Sequence, residues 1–205
     1  MDAPDTPRPI RFYFDFASPY GYFAAREIDR LAAEFGREVE WRPILMWAVL
    51  KAHGIAAPLD APARRAYLLN DMKRSAAFFG APYAEPAKLP VSTHLAARLY
   101  HAIAAQDAQK ARTLAHRLLS AYCAERRDIA DEATLASLAA EVGIDAATTA
   151  EGVKGPRGRA LLEEAVAEAV AAGVIGSPYF VLDGEGLFGA DRLPQLRWLL
   201  SGGKA

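Results

Sequence analysis

Cysteine is almost missing. Cys123 is the single one in 205 residues, so no internal disulfide can form and a C-x-x-C redox pair is absent. An excess of charge is missing too. Lys and Arg total 24 against 25 Asp and Glu, a net charge of -1, which gives bulk electrostatics no hold on nucleic acid or an anionic membrane surface. No apolar run has the ~20 residues needed to span a bilayer. Met1–Pro9 carries no apolar leader segment and reads as a short disordered lead-in. The histidines, His53, His94, His101 and His116, have no ligand spacing, so no metal is expected. The expectation is a cytoplasmic globular protein, one large domain or one domain with an insertion, whose 52% hydrophobic content suffices for a full core.

What is present is organised around residues 10–22. Ile10, Phe12, Phe14 and Phe16 alternate on one face of a strand, and the other face still carries Tyr13, a pattern suited to a sheet covered on both sides. The strand runs into Ser18-Pro19. Serine at the N-cap with proline at the first helical position predicts a helix start, and a helix N-terminus favours an anion. Ser18 is therefore either a cap alone or a cap that also touches a ligand.

The helix is expected to reach Phe35 and stop at Gly36. Val39–Pro43 alternates as a second strand, which makes a βαβ unit with parallel pairing. A short helix over 46–53 ends at Gly54, and 56–62 is a loop. Helices are expected over 64–79, 93–105, 108–126, 134–142 and 145–153, with Asp145 capping the last. A further helix, 159–172, precedes a strand at Tyr179–Leu182. Asp183–Gly186 then reads as a hairpin turn, Leu187-Phe188 as the return strand, and 191–200 as a final helix for which Asp191 is a good N-cap. The predicted fold class is α/β: residues 10–57 and 156–201 form one discontinuous domain, and 58–155 form an all-helical insertion.

The order βαβ…αββα, with Pro178 just before the third strand, resembles the thioredoxin fold, and the helical insertion resembles its DsbA-like branch. Two motifs narrow the resemblance. Asp15-Phe16-x-Ser18-Pro19-Tyr20-x-Tyr22, together with Gly176-Ser177-Pro178-Tyr179-Phe180 and the following Phe188-Gly189-x-Asp191-Arg192, is similar to 2-hydroxychromene-2-carboxylate isomerases and kappa-class glutathione transferases.

That resemblance implies glutathione as cofactor, a small aromatic substrate and a homodimer. It implies that Ser18 contacts the glutathione sulfur and is the catalytic residue, and that Ser177 pairs its backbone with the cysteinyl part beside a cis Pro178. It further implies that Ile175 and Gly176, in the same loop, and Pro178 also bind the cofactor, that Gly189, Ala190, Asp191 and Arg192 hold the γ-glutamyl end, and that Lys51 faces the glycyl carboxylate. Phe16, Tyr20, Trp47 and Tyr83 are the candidate walls of an aromatic pocket, with core packing as the alternative for each. The chain departs from the family at Ile55, Ser92 and Ala190, where relatives commonly carry polar residues. The implied activity is isomerisation of 2-hydroxychromene-2-carboxylate. A kappa-like transferase and a non-catalytic glutathione-binding module are the alternatives. Cys123 is expected to be buried and inert.

Overall fold

The computed structural model describes residues 8–204; most of the expected lead-in, residues 1–7, lies outside them. Strand β1 (Ile10–Phe14) leads to helices α1 (Pro19–Ala25) and α2 (Ile28–Ala33), then to β2 (Val39–Pro43) and α3 (Met46–Ala52). Six helices follow: α4 (Pro62–Phe78), α5 (His94–Ala104), α6 (Ala108–Cys123), α7 (Glu132–Glu141), α8 (Ala146–Lys154) and α9 (Pro156–Ala171). Strands β3 (Tyr179–Leu182) and β4 (Glu185–Phe188), a 3-10 turn over Ala190–Arg192 and helix α10 (Leu193–Leu200) complete the order.

The sheet runs β2-β1-β3-β4, with β1 parallel to β2 and antiparallel to β3. Phe12 lies beside Trp41 on one side and Phe180 on the other, meeting Trp41 edge-on and stacking on Phe180. They share a core with α1, α5 and α6. Tyr13 and Val181 point to the opposite face, where Val49 of α3 and Ala169 of α9 close over them. The sheet is covered on both faces, which is why β1 is apolar on both.

Three elements differ from expectation. The helix after Ser18 breaks at Arg26-Glu27, where the Glu27 N–H reaches back only to the Ala24 carbonyl. Neither residue breaks a helix by its own chemistry; α1 is buried on nearly all sides, whereas α2 buries only Ile28, Leu31 and Ala32, so the axis changes as the chain leaves the interior. The hairpin turn is two residues, Asp183-Gly184, not four. Both take positive φ, 50° and 99°, as a type I′ turn requires, and Glu185 and Gly186 pair in β4. Asp191 does not cap the last helix: it lies inside the 3-10 turn, and Arg192 precedes α10.

Candidate functional site

The turn from β1 into α1 is tied down by hydrogen bonds that span the chain. Ser18 caps α1, its Oγ accepting the Gly21 N–H at 3.1 Å. The same hydroxyl donates to the carbonyl of Ser177 at 3.0 Å, while Ser177 Oγ accepts the Asp15 N–H at 2.9 Å. The Ser177–Pro178 peptide is cis. All three polar residues are nearly buried, Asp15 at 4%, Ser18 at 5% and Ser177 at 6% exposure. Among the described residues, Asp15 has no cation beside it. Its carboxylate instead accepts the Ala17 N–H, the Met46 N–H and the Thr93 hydroxyl, at 2.9, 2.8 and 2.9 Å. Burial pushes its pKa up, and those three bonds pull it back. One side chain thus joins β1, the loop into α3 and the start of α5.

The first turn of α1 is correspondingly short of free donors. Pro19 has no N–H, the Gly21 N–H is capped by Ser18 Oγ, and the Tyr22 N–H bonds the Ser18 carbonyl at 3.0 Å. The expected convergence of orphan N–H groups on one point is therefore mostly used up inside the protein. Ser18 and Gly21 stand three apart, where a C-x-x-C pair would stand. A Cβ at 21 would sit 3.2 Å from Ser177 Oγ and 3.3 Å from Ser18 Cβ, so the site is filled by small groups.

Beside this turn opens a cleft of about 540 Å³ with two walls. One is Ser177, Phe188 and the stretch Gly189–Arg192. Gly189 takes φ +111°, a conformation that favours glycine, and its N–H bonds the Pro178 carbonyl at 3.0 Å. Asp191 and Arg192 pair at 3.0 Å on the rim, and Asp191 is 70% exposed. The other wall comes from Tyr20 of α1 and from Tyr67, Asp71, Arg74 and Phe78 of α4. The Tyr20 hydroxyl donates to Asp71 Oδ2 at 2.6 Å, and Arg74 Nη2 donates to Asp71 Oδ1 at 2.8 Å. Burial and then the Asp71 charge push the Tyr20 phenol well above its usual range, and the bond from Tyr20 holds the Asp71 carboxyl below its own.

The structure brings some of the expected residues together and separates others. Ser177, Gly189, Ala190, Asp191, Arg192 and Tyr20 line the cleft. Ser18 lies behind Ser177, and Gly176 packs under Phe188, whose ring would stand 2.1 Å from a Cβ at 176. Ile175 is 44% exposed in the same loop. Phe16 is a core side chain, fully buried against Phe14 and near Tyr100. Tyr83 packs edge-on against Phe23 with its hydroxyl on Met72 Sδ. Trp47 and Lys51 are exposed on α3, apart from the cleft walls. Cys123 is buried in α6, and burial raises its thiol pKa. Sequence reasoning placed Asp15 in the N-terminal motif without giving it a role, and missed the contact with Thr93 and the α4 stripe. The stripe did leave a signal: 67, 71, 74, 75 and 78 fall on one helical face.

The DSBA-like thioredoxin domain family matches residues 9–201. The 2-hydroxychromene-2-carboxylate isomerase of Sphingobium xenophagum is 32% identical over 90% of this chain and 93% of its own. Glutathione S-transferase kappa 2 of Caenorhabditis elegans is 25% identical over 91% of this chain and 89% of its own. A solved 2-hydroxychromene-2-carboxylate isomerase superposes with a TM-score of 0.84 at 25% identity, covering 94% of both chains. These relatives are isomerases and glutathione transferases, which sets the chain among enzymes. A serine-capped turn held against a cis-proline loop, in a chain that matches isomerases along nearly its whole length, makes this protein a member of the DSBA-like thioredoxin domain family and, within it, of the 2-hydroxychromene-2-carboxylate isomerase family.

Proposed function

We propose that this protein is a glutathione-dependent isomerase that converts 2-hydroxychromene-2-carboxylate-type compounds to trans-o-hydroxybenzylidenepyruvate. The observation that carries the reading is a thiol-handling frame without a thiol of its own: Ser18 and Gly21 fill the two cysteine positions, beside a cis-proline loop. Such a frame has a use if the sulfur is borrowed.

The residues at the cleft fit a tripeptide thiol. Asp191 offers a carboxylate to the α-ammonium group and Arg192 a fork to the α-carboxylate. The Ser177 N–H has no partner among the described residues and is available to a peptide backbone. The resemblance adds Lys51 for the glycyl carboxylate. A volume of about 540 Å³ lies within the ordinary range for small-molecule sites. When bound, glutathione supplies a nucleophilic thiolate, which makes a conjugated double bond free to rotate by adding to it reversibly.

Ser18 has one hydroxyl hydrogen, and it is already given to the Ser177 carbonyl. Donating to a sulfur means giving up that neutral bond for a charge-assisted one, a net gain of roughly 1.4 kcal/mol, or about tenfold. Ionisation has a similar ceiling. A free thiol with pKa about 8.5 is roughly 3% ionised at pH 7, so complete ionisation raises the thiolate fraction only about 30-fold. The chain's larger task is orientation and exclusion of water by the two walls.

Calorimetry with glutathione, followed by turnover of 2-hydroxychromene-2-carboxylate with and without it, tests the reading. Saturable binding, glutathione-dependent turnover and no net consumption are expected. Stoichiometric consumption would convert the assignment to a kappa-like transferase. Binding without turnover would leave a glutathione-binding module, and no binding at millimolar glutathione would end the reading.

A further inference from the structure

The α4 wall carries an arrangement that glutathione binding does not use. Tyr67, Asp71, Arg74 and Phe78 follow one another at helical spacing on a single face of α4. Two rings on this face are left largely in the open, Tyr67 at 60% and Phe78 at 80% exposure, and Phe188 across the cleft is 48% exposed. Rings of that size usually find cover. Here they border one cleft.

Among these rings stands one cation. Arg74 is held from below by Asp71, which is itself held by the Tyr20 phenol, and its guanidinium lies over the Tyr67 ring, 5.4 Å from the centroid. A guanidinium has five N–H donors, and one nitrogen of Arg74 bonds Asp71 while its side chain stays 62% exposed. The remaining fork suits the two oxygens of a carboxylate. The other cation of the cleft, Arg192, belongs to the opposite wall, with Asp191.

We infer that the α4 wall is the co-substrate subsite: Arg74, positioned by Asp71 and Tyr20, receives a carboxylate, and Tyr67 and Phe78 cover the flat aromatic rings attached to it. The occupant is thus an aromatic carboxylic acid. This deepens the isomerase reading and rests on it only for the identity of the natural acid. Two features favour a small acid over a second copy of the chain. The rings face a cleft closed on its far side by Phe188 and Ser177, and its open cation asks for a single anionic group.

The test is calorimetric titration of the full chain with coumarin-3-carboxylate and with coumarin, which has the same rings and no acid. The wild type should bind the acid about 10- to 100-fold more tightly, the worth of a charge-assisted pair. Arg74→Ala should erase the preference and leave coumarin binding unchanged; Arg74→Lys should restore part of it. Phe78→Ala should weaken both ligands alike by several-fold. Lys73→Ala, one residue away and paired with Glu85, is the control and should change neither. Equal affinity of the wild type for the two ligands, or an intact preference in Arg74→Ala, overturns the inference. So does a Phe78→Ala protein that changes its oligomeric state by light scattering while binding both rings normally, since the face would then belong to a second copy. The two readings fail separately. If Arg74 governs acid binding but glutathione neither binds nor supports turnover, the isomerase reading falls and the subsite stands. If turnover persists with an unchanged KM in Arg74→Ala, the subsite falls alone.

Discussion

The two walls of the cleft are built in different ways. On the Ser177 side, the groups that anchor the wall, Asp15, Ser18 and Ser177, are nearly buried and bonded to distant parts of the chain. Ser18 bonds the 177 carbonyl and Asp15 the Met46 N–H and the Thr93 hydroxyl, while the pair of Asp191 and Arg192 stays open at the rim. On the α4 side, the polar groups bond mainly to one another, and the rings beside them stand open. The first wall is costly to disturb, because a buried donor stripped of its acceptor loses its full solvation. The second is cheap to disturb, because water replaces whatever is lost. A wall of the first kind holds a constant group in one pose, whereas one of the second kind can differ between relatives without unfolding the protein.

The sharpest way to break this contrast is Asp15→Ala. It strands three donors in the interior and should cost about 3 kcal/mol or more, measured by urea denaturation. A loss below about 1 kcal/mol would mean that water reaches the turn and that the first wall is not the rigid one. Thr93→Val, which removes one of the three partners, should cost about 1 kcal/mol.

Next in size is Ser18→Ala. Losing both the cap and the bond to the Ser177 carbonyl should cost about 2 kcal/mol, and turnover by the folded protein should fall roughly tenfold. The pKa of bound glutathione, followed by thiolate absorbance, should rise along with this loss. Undiminished turnover with an unchanged thiol pKa would leave Ser18 as a cap only.

Gly176→Ala separates wall shape from stability. The new methyl would fall on the far edge of the Phe188 ring, 2.1 Å away, and that ring is 48% exposed and has room to swing. Stability should change by less than about 1 kcal/mol, while glutathione affinity drops several-fold as the wall shifts. Unfolding on this substitution would show that Phe188 is anchored.

The smallest effect belongs to Asp71. Its carboxyl is held below the ordinary range, first by the Tyr20 hydroxyl and then by Arg74. A lowered folded-state pKa contributes stability that is fully present above the unfolded value near ~3.9 and is lost as pH falls through the folded one. Wild type minus Asp71→Asn should therefore be constant above about pH 5, under about 1 kcal/mol for a pair this close to solvent, and should vanish at lower pH. A difference that grows on acidification would reverse the sign and remove the ion pair as its cause.

Much of the first wall was legible in the chain, since its start is a matter of local chemistry. Serine before proline set the start of α1, Gly36 the turn after α2, and the alternation at 10–16 and 39–43 the two parallel strands, each from residues within a few positions of one another. The first of the two motifs that carry the family likeness lies in the same segments. What the sequence left undecided was which side chains face the cleft. Phe16 and Phe78 are the same residue type, yet one is fully buried and the other 80% exposed. No local rule separates them, because exposure depends on what the rest of the chain brings alongside. Phe16 meets Tyr100 from α5, whereas Phe78 meets its neighbour Phe79 edge-on and stays otherwise open. The break at Arg26-Glu27 and the pairing of Tyr20 with Asp71, 51 residues apart, have the same origin. The Ser18 and Asp145 caps and the strand faces were determined by sequence alone, since their energies act between near neighbours, whereas the length of the 183–184 turn and the start of α10 were not. The cleft, its cation and its open rings were decided only by tertiary packing, which sums contacts that no short window contains.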